Sequence, residues 1–231
     1  MDISELNLTV ASASGETLPI TFAWTEDWLD ELAFGLTEQG WVSHDVHEYL
    51  PIGMLGALGL EVQGLHRRQA MTLAGIGRGL DHVTDPSVRR DRIAWLDGVS
   101  PPQKALFEFL TRIQVALNKR LFLGLRRFEA HYATYQPGDF YRRHVDSFVG
   151  RASRVVSLVL YLNDGWQAEQ GGALQIHNKD SDDEVCGTVL PEAGRMVVFL
   201  SEEVPHEVLK AQRTRHSIAC WFRQDEVPIP L

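Results

Sequence analysis

Arg127-Phe-Glu-Ala-His-Tyr-Ala-Thr-Tyr135, then Gln136-Pro-Gly-Asp139, then Phe140-Tyr-Arg-Arg-His144-Val-Asp146 is the stretch on which the fold turns. Its first nine residues are rich in aromatic and β-favouring side chains and stop at a Pro-Gly turn, so they read as a strand. Five further short runs follow: Ser153 to Leu162, Gly172 to His177, Arg195 to Leu200, His206 to Lys210 and Arg215 to Arg223. Gly, Pro, Asn or Asp clusters separate them. Many short strands at this spacing imply a sandwich or barrel, here a double-stranded β-helix, or jelly roll. The runs from Arg154 to Tyr161 and Arg215 to Trp221 are apolar on both faces, as expected of strands covered by the barrel on one side and by helices on the other.

Upstream of Gly124 the texture is helical. Thr25 caps a helix through Leu29, Leu32 and Leu36 that ends at Gly40, and Trp41 to Ser43 reads as a short strand. A second helix is expected over Leu50 to Leu65 despite Gly53, Gly56 and Gly59. Ser100, Pro101 and Gln103 spell a capping box with proline at the first helical position, followed by the buried stripe Leu106, Leu110, Ile113 and Leu117. Between the last two helices, Arg67 to Arg90 reads as a long excursion, a length usually reserved for function. The expected plan is mainly β with N-terminal helices packed on one outer face of the jelly roll. It divides into an extension over 1–24 and one domain over 25–231, with helical support at 25–123 and the jelly-roll core at 124–224.

The chain has 231 residues, 44% apolar and 23% charged, values of an ordinary globular protein. Apolar runs are too short for a membrane span, and Met1 to Gly15 lacks the pattern of a signal peptide. With only two cysteines, Cys186 and Cys220, the expectation is a reducing, cytoplasmic setting. A net charge of -9 argues against a general grip on nucleic acid phosphates.

Chemistry concentrates near the opening stretch. His144 and Asp146 are two apart, so in an extended segment both leave the same face, and His206 completes a set of two imidazoles and one carboxylate. That donor set leaves positions open on an octahedral ion and is the one used by non-haem Fe(II) oxygenases. Arg215 sits in an apolar strand with no acidic residue of its own, and a buried guanidinium requires an anion. A dicarboxylate would supply it through a fork-to-fork pair. Tyr161 and Tyr135 can share that anion through their hydroxyls, and Ser157 is a further candidate lining residue. Arg154 lies near the expected barrel mouth.

These motifs, with Leu160-Tyr-Leu-Asn163, Gly171-Gly-Ala-Leu174 and Trp221-Phe222, resemble the 2-oxoglutarate- and Fe(II)-dependent prolyl hydroxylases. The likeness is to the hypoxia-inducible-factor prolyl hydroxylase type and its bacterial relatives. Asp91-Arg-Ile-Ala-Trp-Leu-Asp-Gly98 resembles that branch's Asp-Lys-Ile-Thr-Trp-Ile-Glu-Gly segment, and the similarity runs from Trp28 to Arg223. The resemblance implies that His144, Asp146 and His206 ligate Fe(II) and that Arg215, Tyr161 and Tyr135 hold 2-oxoglutarate. It also implies that Trp95, Arg89 and Arg154 border the substrate groove, and it places a finger loop between Met71 and Ser87. The implied reaction consumes dioxygen, with ascorbate as reductant, and hydroxylates a prolyl residue of a protein with release of succinate and carbon dioxide. Elongation factor Tu is the implied candidate partner. The turn before the metal motif is one residue shorter than in the animal enzymes. His216 stands where they carry a tyrosine and is expected to point away from the pocket.

Two competing readings are the same oxygenase chemistry on a small molecule or free amino acid, and a non-catalytic metal-binding β-barrel. Asp146 occupies the position a halide would need, which disfavours halogenation. His44, Asp45, His47 and Glu48 look like a ligand cluster but fall in a strand-to-helix connection, where polar residues are expected. Asp180, Asp182, Asp183 and Glu184 lack the spacing of a calcium loop.

Overall fold

Alternation along the chain, one residue to the barrel interior and the next to a helical layer, organises the structure. It is a computed structural model that describes residues 9–11, 17–19, 22–75, 84–147, 154–181 and 184–224. In chain order the elements are β1 (Thr9–Ala11), β2 (Thr17–Pro19), α1 (Glu26–Gln39), β3 (Trp41–Asp45), α2 (Met54–Arg67), β4 (Thr72–Leu73), β5 (Arg92–Trp95) and α3 (Pro101–Leu121). There follow β6 (Arg127–Tyr135), β7 (Tyr141–His144), β8 (Arg154–Tyr161), β9 (Leu174–His177), β10 (Val185–Val189), β11 (Arg195–Leu200), β12 (His206–Val208) and β13 (Arg215–Arg223).

β1 and β2 form an antiparallel pair of their own. The other strands make a seven-stranded sheet in the order β3-β11-β8-β13-β6-β5-β4 and a four-stranded sheet in the order β10-β9-β12-β7. All of these pairings are antiparallel. The two sheets are the halves of a jelly roll, with the three helices on the outer face of the larger one. On β13, Ile218, Cys220 and Phe222 pack into the helix-facing core, while Arg215, Ser217, Ala219 and Trp221 line the interior. On β8, Val156, Leu158 and Leu160 take the helix side and Ser157, Val159 and Tyr161 the interior. A shift of one residue in either register would exchange the two sets, so both cores specify the same pairing.

The helices form where their caps and stripes dictate. Thr25 Oγ1 accepts from Trp28 N at 3.2 Å, and Gly40 ends α1 at φ +78°. In α3, Leu106, Phe109, Leu110, Ile113 and Leu117 are wholly buried, each contributing about 1.5–3 kcal/mol. Ser100 accepts from Gln103 N at 3.4 Å, but the reciprocal half of the expected capping box goes elsewhere. Gln103 Oε1 accepts instead from the amides of Asp97 and Gly98. Its amide donates to Glu61, which also accepts from the Tyr132 hydroxyl at 2.8 Å, tying α2, α3 and β6 together.

Several expectations shift. The second helix starts at Met54, after Gly53 at φ +81°, and runs on to Arg67. β3 extends to Asp45 because its ladder with β11 pairs Met196 with His44 and Arg195 with Asp45. Half of the suspected His44 to Glu48 cluster is therefore strand; Asp45 caps the following turn through the His47 amide and ring. β4, β5, β7 and β10 are absent from the runs read in sequence. The central part of the expected finger loop, residues 76–83, lies outside the described residues, as do Asp182 and Asp183 of the acidic hairpin. No helix among the described residues is long and apolar enough to cross a membrane.

Candidate metal and co-substrate site

His144, Asp146 and His206 meet in the barrel. β7 and β12 are neighbours in the smaller sheet with His144 directly opposite His206, and their rings lie 4.3 Å apart between centroids. Each Nδ1 faces a backbone carbonyl, that of Arg142 at 2.8 Å for His144 and of Val204 at 3.0 Å for His206. A carbonyl only accepts, so Nδ1 carries the proton and Nε2 of both rings presents a lone pair inward. Asp146 Oδ1 is 3.5 Å from His144 Nε2 and 3.8 Å from His206 Nε2. The ligand atoms of the three lie within 4.8 Å of one another, the one such group among the described residues.

The structure brings the pair together, but not by the shared strand face that their spacing implies. β7 ends at His144, and Asp146 belongs to the bend that follows. The carboxylate is returned to the histidines by a tether from the opposite sheet. Ser157 Oγ, on β8, donates to Asp146 Oδ2 at 2.6 Å and lies 2.8 Å from Ser201 Oγ. Burial favours the acid form of Asp146, but the nearby His206 and His144 and the Ser157 hydroxyl outweigh it and hold the carboxyl well below the usual range. Burial also pushes His206 down to about 4, so it is neutral near pH 7 with its lone pair free.

Across the interior, Arg215 is 1% exposed. Its Nε donates to the Gly172 carbonyl at 2.9 Å and Nη1 to Ser217 Oγ at 3.2 Å. No carboxylate among the described residues forms an ion pair with it. The guanidinium lies between two phenols, 4.7 Å from the Tyr135 ring centroid and 4.9 Å from that of Tyr161. The Tyr161 hydroxyl is buried without a hydrogen-bond partner. Burial raises its pKa, more than the adjacent Arg215 lowers it, and burial likewise raises that of Tyr135. A cation without a counter-ion beside an orphan hydroxyl is the polar half of an anion site. Gly172 was missed as a participant, although the Gly-Gly pair was its signal. At φ +66° a Cβ there would stand 3.2 Å from Arg215 Cδ.

Between the triad and Arg215 lies a pocket that opens to solvent. Val159, Leu174, Phe199 and Val208 give it apolar walls. Of the residues expected at the substrate groove, Arg89 lines the pocket, paired with buried Asp91 at 2.6 and 2.8 Å. Trp95 is 57% exposed and meets His131 edge-on at 5.2 Å. Arg154 lies 3.7 Å above Trp221 and is bound by Glu129 Oε1 through two nitrogens. The Glu129 partnership, across 25 positions of sequence, had no signal to announce it. His216 points to the helix side, where its Nδ1 lies 2.9 Å from Thr134 Oγ1.

A family model described as the 2OG-Fe(II) oxygenase superfamily matches residues 130–223. A prolyl-4-hydroxylase from Pseudomonas putida is 38% identical, with a TM-score of 0.75 over 85% of this chain and 99% of that one. The chain belongs to the 2OG-Fe(II) oxygenase superfamily. Two further prolyl hydroxylase structures share the oxygenase fold at 23% identity. That of Trichoplax adhaerens, solved with a hypoxia-inducible-factor peptide, has a TM-score of 0.75 over 86% of this chain and 90% of its own. That of Phytophthora capsici has a TM-score of 0.66 over 91% of this chain and 69% of its own. Fe(II) and 2-oxoglutarate are thus the metal and co-substrate of this oxygenase, and the residues fit both. Two Nε2 lone pairs and a carboxylate converge on one point, and an unneutralised guanidinium with an orphan hydroxyl faces them.

Proposed function

We propose that this oxygenase hydroxylates a prolyl residue of a protein, at C4, converting 2-oxoglutarate and dioxygen to succinate and carbon dioxide. The observation that carries the reading is the 38% identity extending over 99% of the Pseudomonas putida prolyl-4-hydroxylase. In this reading His144, Asp146 and His206 hold the iron. Arg215 and the Tyr161 hydroxyl bind and orient the distal carboxylate of 2-oxoglutarate, with Tyr135 closing the other side. Ser157, expected at the co-substrate, instead holds Asp146 in its ionised, ligating orientation. Bound iron supplies the oxidation chemistry, and the chain supplies position. Leu174, Phe199, Val159 and Val208 line the reacting centre with apolar surface. Trp95, Arg89 and Arg154 border the entry for the polypeptide. Elongation factor Tu is the candidate partner, which places the enzyme in the cytoplasm.

The test supplies the enzyme with Fe(II), 2-oxoglutarate, ascorbate and air, and offers elongation factor Tu, total cellular protein and a metabolite extract separately. A one-oxygen mass gain on a proline, dependent on 2-oxoglutarate and lost in His144→Ala, is expected. A gain confined to metabolites would transfer the chemistry to small molecules. Absence of succinate with every pool would leave a binding module.

A further inference from the structure

The inner site contains a stack that neither metal binding nor co-substrate binding accounts for. The Tyr141 ring lies on the His144 imidazole with centroids 3.6 Å apart and planes 17° from parallel, the closest ring pair among the described residues. On Tyr141 in turn sits the Arg89 guanidinium, 4.6 Å from its centroid. Arg89 is fixed by both oxygens of Asp91, whose side chain is wholly buried. The backbone reinforces this order. Arg89 bridges to Tyr141, Arg142 N donates to Val88 O at 2.9 Å, and Arg90 N donates to Phe140 O at 3.1 Å.

His144 needs such support. It is the last residue of a four-residue strand, so no ladder continues past it to limit the tilt of its side chain. The hydrogen bond from Nδ1 to Arg142 O fixes which edge of the ring faces inward but leaves rotation about that bond open. A flat ring on the imidazole face removes the second freedom. His206 has no such stack: its aromatic neighbour on the larger sheet, Phe199 at 4.5 Å, is tilted by 57°.

We propose that Tyr141 is a positioning residue for the metal ligand His144, and that the Asp91–Arg89 pair clamps Tyr141 in place. Residues that touch neither metal nor 2-oxoglutarate thereby set metal affinity. The proposal rests on the reading of His144 as a ligand. Arg89, expected at the substrate groove, acquires an internal role: its guanidinium is engaged by Asp91 and the Tyr141 face.

Mn(II) binding, followed by the electron paramagnetic resonance of the free ion without turnover, tests this. Supporting groups around metal ligands typically change metal affinity about 10- to 100-fold. Tyr141→Phe keeps the ring and should bind Mn(II) within about threefold of the parent, whereas Tyr141→Leu should bind at least tenfold more weakly. Binding by Tyr141→Leu less than tenfold weaker overturns the proposal, as does an equal loss in Tyr141→Phe, which would assign the effect to the hydroxyl. Should Tyr141→Leu not melt cooperatively, Arg89→Lys decides: it keeps a charge for Asp91 but removes the plane over Tyr141. A Kd raised more than threefold then supports the clamp, and threefold or less overturns it. If the parent itself held no Mn(II), the ligand assignment would fall with the proposal, while parent binding with indifferent variants would sink the clamp alone.

Discussion

Removing the Tyr161 hydroxyl should change stability and co-substrate binding in opposite directions. In Tyr161→Phe the ring keeps its place under Arg215, and only an oxygen with no partner is lost. A buried polar group left unsatisfied costs about 1–3 kcal/mol. For a chain of 231 residues each kcal/mol shifts melting by about 2–4 °C, so the variant without ligand should melt roughly 2–12 °C higher. With 2-oxoglutarate the sign reverses, because the hydroxyl then has a carboxylate to bind. A hydrogen bond to a charged group contributes about 1.5–3 kcal/mol, which is roughly a 10- to 140-fold rise in KM for 2-oxoglutarate. Thermal melts without and with 2-oxoglutarate, together with succinate release over a co-substrate titration, measure both quantities on one preparation. A variant that melts lower without ligand would show that the hydroxyl is already satisfied. An unchanged KM would remove Tyr161 from the co-substrate site.

Gly172→Ala should push Arg215 aside and raise KM for 2-oxoglutarate at least fivefold, with kcat at saturation less affected; an unchanged KM would contradict the role given to this close approach. Ser157→Ala frees Asp146 Oδ2 and should weaken Mn(II) binding about 10-fold or more, leaving KM for 2-oxoglutarate near the parent value. The reverse pattern would restore Ser157 to the co-substrate. Burial holds His131, His206 and His216 down to about 4, below their free value of 6.5. Neutral when folded, they gain protons on unfolding, so their stabilising effect is intact above pH 6.5 and is lost as pH falls toward 4. The metal-free melting temperature should therefore drop steadily across that interval, and a maximum near pH 5 would refute the account.

Where the residue pattern was periodic, the chain could be read directly. β6, β11 and β13 begin and end where their apolar runs do, and α1 stops at the glycine that ends it. Short or polar strands escaped because their reason lies in a partner. β7, Tyr141-Arg-Arg-His144, has no apolar alternation; it is a strand because β12 pairs with it on one side and residues 88–90 hydrogen-bond it on the other. β10 exists through pairing with β9, and its Gly187 leaves room for the Trp41 ring. In the site, residue type pointed to three side chains that the structure brings together and to a buried cation at Arg215. It could not reveal that Glu129 already neutralises Arg154, or that Ser157 bonds to Asp146, since both contacts depend on register between distant strands.

That register also explains why the candidate site lies where it does. The two histidines stand on the smaller sheet, and Arg215, Tyr135 and Tyr161 on the larger. Between them the polar link from Asp146 through Ser157 to Ser201 ties the bend after β7 to β8 and to the end of β11. A metal on the triad, joined to a co-substrate anchored by Arg215, would brace one sheet against the other across an interior otherwise held by apolar contact. Such a brace binds only the folded arrangement, so its affinity adds to stability in proportion to the logarithm of ligand concentration. The Tyr161 hydroxyl has no hydrogen-bond partner, and no carboxylate among the described residues pairs with the Arg215 guanidinium. Because an unpaired buried polar group is costly, both favour an anionic co-substrate over water.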